Sequence, residues 1–292
     1  MQIRRCLAPL LNIGDAEISV SGMKISFSTL CCPSWNLRQM IDAAVANQIT
    51  GIDFRGLGEE IDITKLAAFN GEIDATLDVL RGAGLSLPCF NTSVTLVSPA
   101  AERWQTMLEE CHRYATLAAK TNTRYLRIFC GEVPKGMTRD EARMMASRHL
   151  RQVIKICAGT GAQPLIETHD TWSTGTALLE LLHEFDPAEV GVLWDFEHSF
   201  RHGEAPAETA RTLRKYIKHA HVKDSVLQDK HNVPRMLGEG DLPLREAFAA
   251  CREIGYDGWF CLEVEKRWIP DAPEPEVTIP QFAEFMRAHW KQ

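Results

Sequence analysis

The chain has 292 residues, 45% of them hydrophobic and 24% charged, with a formal net charge of −7. The acidic balance, without any run of Lys and Arg, excludes a protein that grips nucleic-acid backbones. No apolar stretch approaches the roughly 20 residues of a membrane span, which excludes a helical membrane protein.

The length exceeds that of a usual domain, but α/β barrels spend roughly 250 residues on a single one. Residues 1–12 (MQIRRCLAPLLN) mimic a secretory leader. Their apolar stretch is short, Pro9 breaks it and no small-residue cleavage site follows, so the expected location is the cytoplasm. Nine cysteines occur without C-x-x-C pairs or zinc-ribbon spacing. They read as small core hydrophobes in a reducing compartment, with the adjacent Cys31 and Cys32 packing at a loop.

Strand and helix patterns alternate from about residue 23. MKISFS is the first expected strand, followed by a helix from about Asn36 to Asn47. GIDFR is the second strand and LSLPCFN the third. A helix then opens at Ser98 and Pro99, with serine as N-cap and proline at the first helical position. TRYLRIF is the fourth strand. The next helix starts with a capping box, Thr138-x-x-Glu141, and stops at Gly159 and Gly161.

PLIE, GVLWD, IKHAHVK and WFCLEVE follow as strands five to eight. Asp241 is placed to cap a helix whose Leu244, Ala247, Phe248 and Cys251 form one stripe. The segment from Asp224 to Gly240 is a long loop able to cover a site, with Gly238 and Gly240 as its turn. Eight strand–helix units of this kind predict a (β/α)8 TIM barrel over residues 22–292, preceded by an extension over residues 1–21.

Four of these strands end on side chains that can bind a metal: Glu167, Asp195, His221 and Glu263. Glu167, Asp195 and His221 are 28 and 26 residues apart, close to one strand–helix unit each. The two-residue period places Glu167 with His169, His221 with His219 and Lys223, and Glu263 with Glu265 on common faces. Barrel active sites form where such faces reach the carboxyl ends of the strands. Three carboxylates and one imidazole suit a catalytic divalent ion, Mn²⁺ first, then Co²⁺ or Mg²⁺, better than a structural zinc. Glu263 is preferred to Glu265 because the apolar run ends there.

Arg55 and Arg127, at or near strand ends, are candidates to bind a substrate carboxylate, phosphate or hydroxyl. His169 and Lys223 join them because each shares a face with a ligand. Asn91 is a weaker candidate, and His219, one layer deeper, reads as a core histidine. Trp172, Trp194 and Trp268 lie near the expected rim and read mainly as packing residues.

The motifs LIETH, WDFEH, HAHVKD, LGEGDLP and GYDGWFCLEVE resemble those of the sugar phosphate isomerase/epimerase superfamily, the xylose-isomerase-like barrels. That superfamily includes ketose 3-epimerases, hydroxypyruvate isomerase and inosose dehydratase. The resemblance runs from about Met23 to Trp290. It implies that Glu167, Asp195, His221 and Glu263 hold one divalent metal, zinc included among the candidates. It also implies that Glu167 and Glu263 exchange protons with the substrate carbon from opposite faces, and that His198 binds substrate.

The implied function is a metal-dependent isomerase or epimerase of a sugar, keto-sugar or polyol, working through a metal-stabilised enediolate. The same enediolate can expel a leaving group, so a lyase or dehydratase is the alternative, and a non-catalytic sugar-binding barrel the more distant one. Some epimerases carry an arginine shortly after the metal histidine, where this chain has Lys223 and Asp224. Family members often form homo-oligomers. The expected partner is a small carbohydrate, with neither nucleic acid nor membrane.

Overall fold

The computed structural model describes residues 23–290. The extension expected over residues 1–21 lies outside the described residues. Eight parallel strands form one sheet: β1 (Lys24–Ser28), β2 (Gly51–Asp53), β3 (Cys89–Thr95), β4 (Tyr125–Phe129), β5 (Gln163–Glu167), β6 (Gly191–Asp195), β7 (Ile217–Val222) and β10 (Trp259–Leu262). Their order is β2-β1-β10-β7-β6-β5-β4-β3. The two ends of that order meet through parallel bridges from Gly51 to Ser86 and from Phe54 to Phe90. The sheet is therefore a nearly closed ring, as the strand count and the short apolar runs predict.

Helices fill the connections: α1 (Leu37–Ala46), α2 (Ile73–Gly82), α3 (Ala101–Thr121), α4 (Arg139–Cys157), α5 (Gly175–Leu182), α6 (Phe196–Arg201), α7 (Pro206–Leu213), α8 (Leu244–Glu253) and α9 (Pro275–His289). No described helix is long and apolar enough to cross a membrane.

Alternation along each strand sorts the side chains into two environments. Phe27, Ile52, Phe90, Leu126, Ile166, Trp194, Ala220 and Phe260 belong to one continuous apolar core. These are the outward positions, packed under the helices. The alternate positions are Ser26, Asp53, Asn91, Arg127, Glu167, Asp195, His219, His221 and Glu263, all buried. Barrel interiors are ordinarily filled by branched apolar residues. Here the lumen is mostly polar, with Leu165 and Leu193 as apolar inward residues, and most of the apolar material that holds the fold lies outside the ring.

Local signals set several helix ends. Asn36 caps α1, its Oδ1 accepting from Gln39 N at 3.0 Å, while Gln39 Oε1 accepts from Asn36 N at 2.9 Å. The expected Thr138–Glu141 box caps α4 in the same reciprocal way. Two expected caps differ. Helix α3 begins at Ala101 after an Ala100 cap, leaving Ser98 and Pro99 outside it. Helix α8 starts after Pro243 without a side-chain cap, because Asp241 is drawn to the Arg201 guanidinium and to Leu227 N.

His149 of α4 lies flat on Trp104 of α3, with ring centroids 3.8 Å apart, and its Nδ1 is 2.7 Å from Leu96 O. Burial holds its pKa below the ordinary value. The unfolded chain therefore takes up this proton first. Its contribution to stability is complete above about pH 6.5 and is lost as pH falls from there toward the lower folded value. Urea midpoints compared between pH 7.5 and 5.5 should drop more for the native chain than for His149→Gln.

The expected loop after β7 is in fact an antiparallel hairpin, β8 (Asp224–Gln228) and β9 (His231–Arg235). Its two connecting residues, Asp229 and Lys230, have φ of 48° and 66°. Positive φ at both central positions is the geometry of a tight hairpin turn. Asp224 anchors the base, its carboxylate accepting from the backbone N–H groups of Ser225, Gly238, Gly240 and Leu242. A side chain at Gly240 would run into that carboxylate, so the expected turn glycine is required there by close approach.

Candidate metal centre at the mouth of the barrel

The four strand-end candidates converge. Glu167, Asp195, His221 and Glu263 each bring one ligand-capable atom, all within 4.8 Å of one another, and all four residues are buried. Register explains the convergence: Asp195 lies beside His221 across β6 and β7, and His221 beside Cys261 across β7 and β10. Glu263 follows Cys261 by two residues and so points to the same side, one layer higher. Glu265 stays outside the group.

His221 Nδ1 is central, 3.1 Å from Glu167 Oε1, 3.0 Å from Glu263 Oε2 and 3.8 Å from Asp195 Oδ2. Asp195 has two tasks. Its Oδ1 caps α6 by accepting from Glu197 N at 2.9 Å and His198 N at 3.2 Å. Its Oδ2 is left for the lumen, 2.9 Å from Lys223 Nζ. Because α6 starts directly at this cap, His198 is turned back over the mouth, 3.8 Å from Asp195.

Lys223 is buried among carboxylates, with Nζ 3.1 Å from Glu263 Oε2 and 3.8 Å from Glu197 Oε2. Arg127, expected at the mouth, is instead buried beside Glu167, its Nε 3.3 Å from Oε2. Its guanidinium lies 3.9 Å over the Phe129 ring and donates to Thr92 O. Arg55 sits two residues past β2, its Nη1 buried without a partner. His169 packs edge-on against His198, with ring centroids 4.3 Å apart, and its Nδ1 is 2.7 Å from Asp170 Oδ1. Asn91 lies inside β3. Trp172 and Trp194 are wholly buried, while Trp268 is exposed.

The charges set one another. Burial raises the Glu167 carboxyl, but Arg127 and His221 overcome that and hold it at about 2. Burial drives Asp195 up to about 7 against the pull of Lys223, with help from Glu263 and Glu167. Burial opposes charge on His221, yet Glu263 and Glu167 raise it to about 10. Burial, followed by the nearby Arg127, lowers Arg55 to about 10. Three buried carboxylates this close require compensating positive charge. The donor set fits a divalent cation of the Mn²⁺, Co²⁺, Mg²⁺ or Zn²⁺ group.

Two residues near this site had no signal in the sequence reading. Glu197, in the middle of WDFEH, is buried and accepts from Ser225 Oγ, tying the hairpin base to the site. Asp53, on the inward face of β2, pairs with His219 at 2.7 Å. The hairpin borders the centre directly: a cavity of about 80 Å³ lies between Lys223, His198 and Glu263 on one side and Asn232 and Pro234 on the other.

The nearly closed ring and the carboxylate–imidazole group at its C-terminal end define a (β/α)8 barrel with a candidate metal centre. The chain belongs to the xylose isomerase-like TIM barrel family, which it matches over residues 41–289.

A 3-dehydroshikimate dehydratase from Bacillus anthracis is 29% identical over 119 residues, 40% of this chain and 42% of that enzyme. The chain thus matches less than half the length of that relative. Among solved structures, the probable 3-DHS dehydratase of petrobactin synthesis from Bacillus anthracis superposes with a TM-score of 0.75 at 20% identity, covering 91% of this chain and 99% of that one. D-psicose 3-epimerase from Clostridium cellulolyticum H10 gives 0.73 at 15%, covering 92% and 99%. The IOLI protein with a bound zinc atom gives 0.72 at 16%, covering 92% and 95%. At these identities the likeness is one of fold.

Proposed function

We propose that this chain is a divalent-metal-dependent enzyme that removes a proton from the carbon beside a carbonyl of a small polyhydroxylated substrate. The observation that carries this reading is the meeting of Glu167, Asp195, His221 and Glu263 within 4.8 Å at the carboxyl end of the strands. Those four residues would hold the ion, with Mn²⁺ placed first. Once bound, the ion would supply the positive charge that makes an enediolate affordable.

The chain's own groups do the rest. Glu167, kept ionised by Arg127, is a base for the C–H proton. His169 and His198, packed together at the mouth, and Arg55, whose Nη1 is buried without a partner, present donors for substrate hydroxyls or a carboxylate. Lys223 lies on the Glu263 side with its ammonium in the lumen. An ammonium can give a proton to a leaving hydroxide, whereas a guanidinium cannot. This favours elimination of water: Glu167 takes the C–H proton, its electron pair forms the C=C bond, the C–O bond to the neighbouring carbon breaks, and the hydroxide leaves as water with the Lys223 proton. The curated dehydratase relative supports the same outcome.

Isomerisation or epimerisation is the second reading, supported by the presence of both Glu167 and Glu263. In epimerisation the proton returns to the same carbon from the opposite carboxylate, in isomerisation it is delivered to the neighbouring carbon, and in neither does a C–O bond break. Incubation of Mn²⁺-, Co²⁺- and Zn²⁺-loaded protein with ketoses, inososes and cyclic hydroxyketones in D₂O tests both. We expect an unsaturated, ultraviolet-absorbing product, with deuterium at the carbon beside the carbonyl of recovered substrate to the extent that deprotonation reverses. Deuterium in an epimer or isomer, without that product, would select the second reading. Neither exchange nor an unsaturated product with any metal would remove both.

A further inference from the structure

Beneath the carboxylate group the lumen holds a second set of donors. Asp53 of β2, His219 and His221 of β7 and Cys261 of β10 each bring one ligand-capable atom, all within 4.8 Å of one another. All four residues are 0% exposed. They occupy inward positions, with Cys261 in register beside His221. His219 Nε2 lies 2.7 Å from Asp53 Oδ2, yet Asp53 Oδ1, His219 Nδ1 and His221 Nε2 have no hydrogen-bond partner. A buried polar atom left unpaired carries its full desolvation penalty. Three such atoms beside a buried thiol make a layer fitted to a ligand.

The donor types say which ligand. The upper group is rich in oxygen, the choice of harder ions. The lower layer offers one thiol, one carboxylate and two imidazoles, and sulfur with nitrogen is the preference of zinc. We propose that this layer is a second cation site, for a borderline-soft divalent ion such as Zn²⁺. Asp53, His219, the Cys261 thiolate and a ring nitrogen of His221 hold it, and the thiol proton is released to solvent as the ion binds. His221 then belongs to both layers, because its Nδ1 already faces Glu167 and Glu263. The lower ion fixes the orientation of that ring and takes no part in bond making. The assignment goes beyond the proposed reaction and does not depend on it.

The test uses the full chain purified from zinc-supplemented cells, with metals counted by mass spectrometry, and the same chain reloaded with Co²⁺. We expect Asp195→Asn, which breaks the upper group, to keep about one tightly held zinc per chain. Cys261→Ala should lose that zinc. The Co²⁺-loaded native chain should show near-ultraviolet cysteinate-to-cobalt charge-transfer absorption, absent from Cys261→Ala. A native chain without that absorption overturns the proposal, as does a zinc count unchanged by Cys261→Ala. Should Cys261→Ala fail to fold, the native cobalt spectrum decides alone. Because the Asp195→Asn chain needs no turnover, failure of the second site and failure of the proposed reaction are read separately.

Discussion

Replacing Glu167 by Gln should lower turnover by about 10³-fold or more while the circular dichroism spectrum stays native. Removal of a positioned general base ordinarily costs 10²–10⁴-fold, and Glu167 also supplies one of the four candidate ligand atoms. The substitution is nearly isosteric and keeps an oxygen facing Arg127 and His221, so the fold should persist, at a lower melting temperature because buried Arg127 loses its counter-charge. Solvent deuterium exchange is the sharper measurement, because it reports C–H cleavage whatever product follows. Full exchange in Glu167→Gln would remove Glu167 as the base and leave Glu263 to be tested in the same way.

The second large effect belongs to Lys223. Its ammonium lies within 3.1 Å of both Asp195 and Glu263, and although burial opposes its charge, Asp195 leads the neighbours that keep it protonated. Lys223→Met leaves those carboxylates facing one another. Removing one partner of a buried ion pair costs about 3–5 kcal/mol, so the metal-free variant should melt well below the native chain. Added Mn²⁺ should recover much of the loss by linkage.

Lys223→Arg separates charge from proton donation. If elimination is the reaction, this variant keeps deuterium exchange but loses the unsaturated product. Equal loss of exchange and product, or full retention of both, would exclude Lys223 as the acid.

The route to these residues in the sequence was direct where chemistry and periodicity coincided. PLIE and GVLWD are apolar runs ending on a carboxylate, and a two-residue period decides which side chains share a face. Register then brings Glu167, Asp195 and His221 together, and Glu263, just past the end of its strand, joins them with its N–H bonded to Val222 O.

What stayed hidden depended on partners distant in the chain. Asp53 sits in GIDFR like any strand-end acid, and its role appears only with His219, 166 residues later. Asp241 has the right spacing for a cap, but Arg201 offers it a charged partner instead. The hairpin was concealed because Asp229-Lys230 lacks the Asn-Gly or Asp-Gly signature of such turns. Arg127 is legible as an inward-facing residue but not as a buried one, since a strand pattern gives the face of a residue and not its depth.

The separation of a polar inner wall from an apolar outer belt has an evolutionary consequence. Substitutions along the inner wall leave the helix-to-sheet contacts untouched, so their cost falls on the paired charges of the lumen and not on the scaffold. A ring of this design can drift among related chemistries while its scaffold persists. Reaction type should therefore vary across such proteins far faster than shape does.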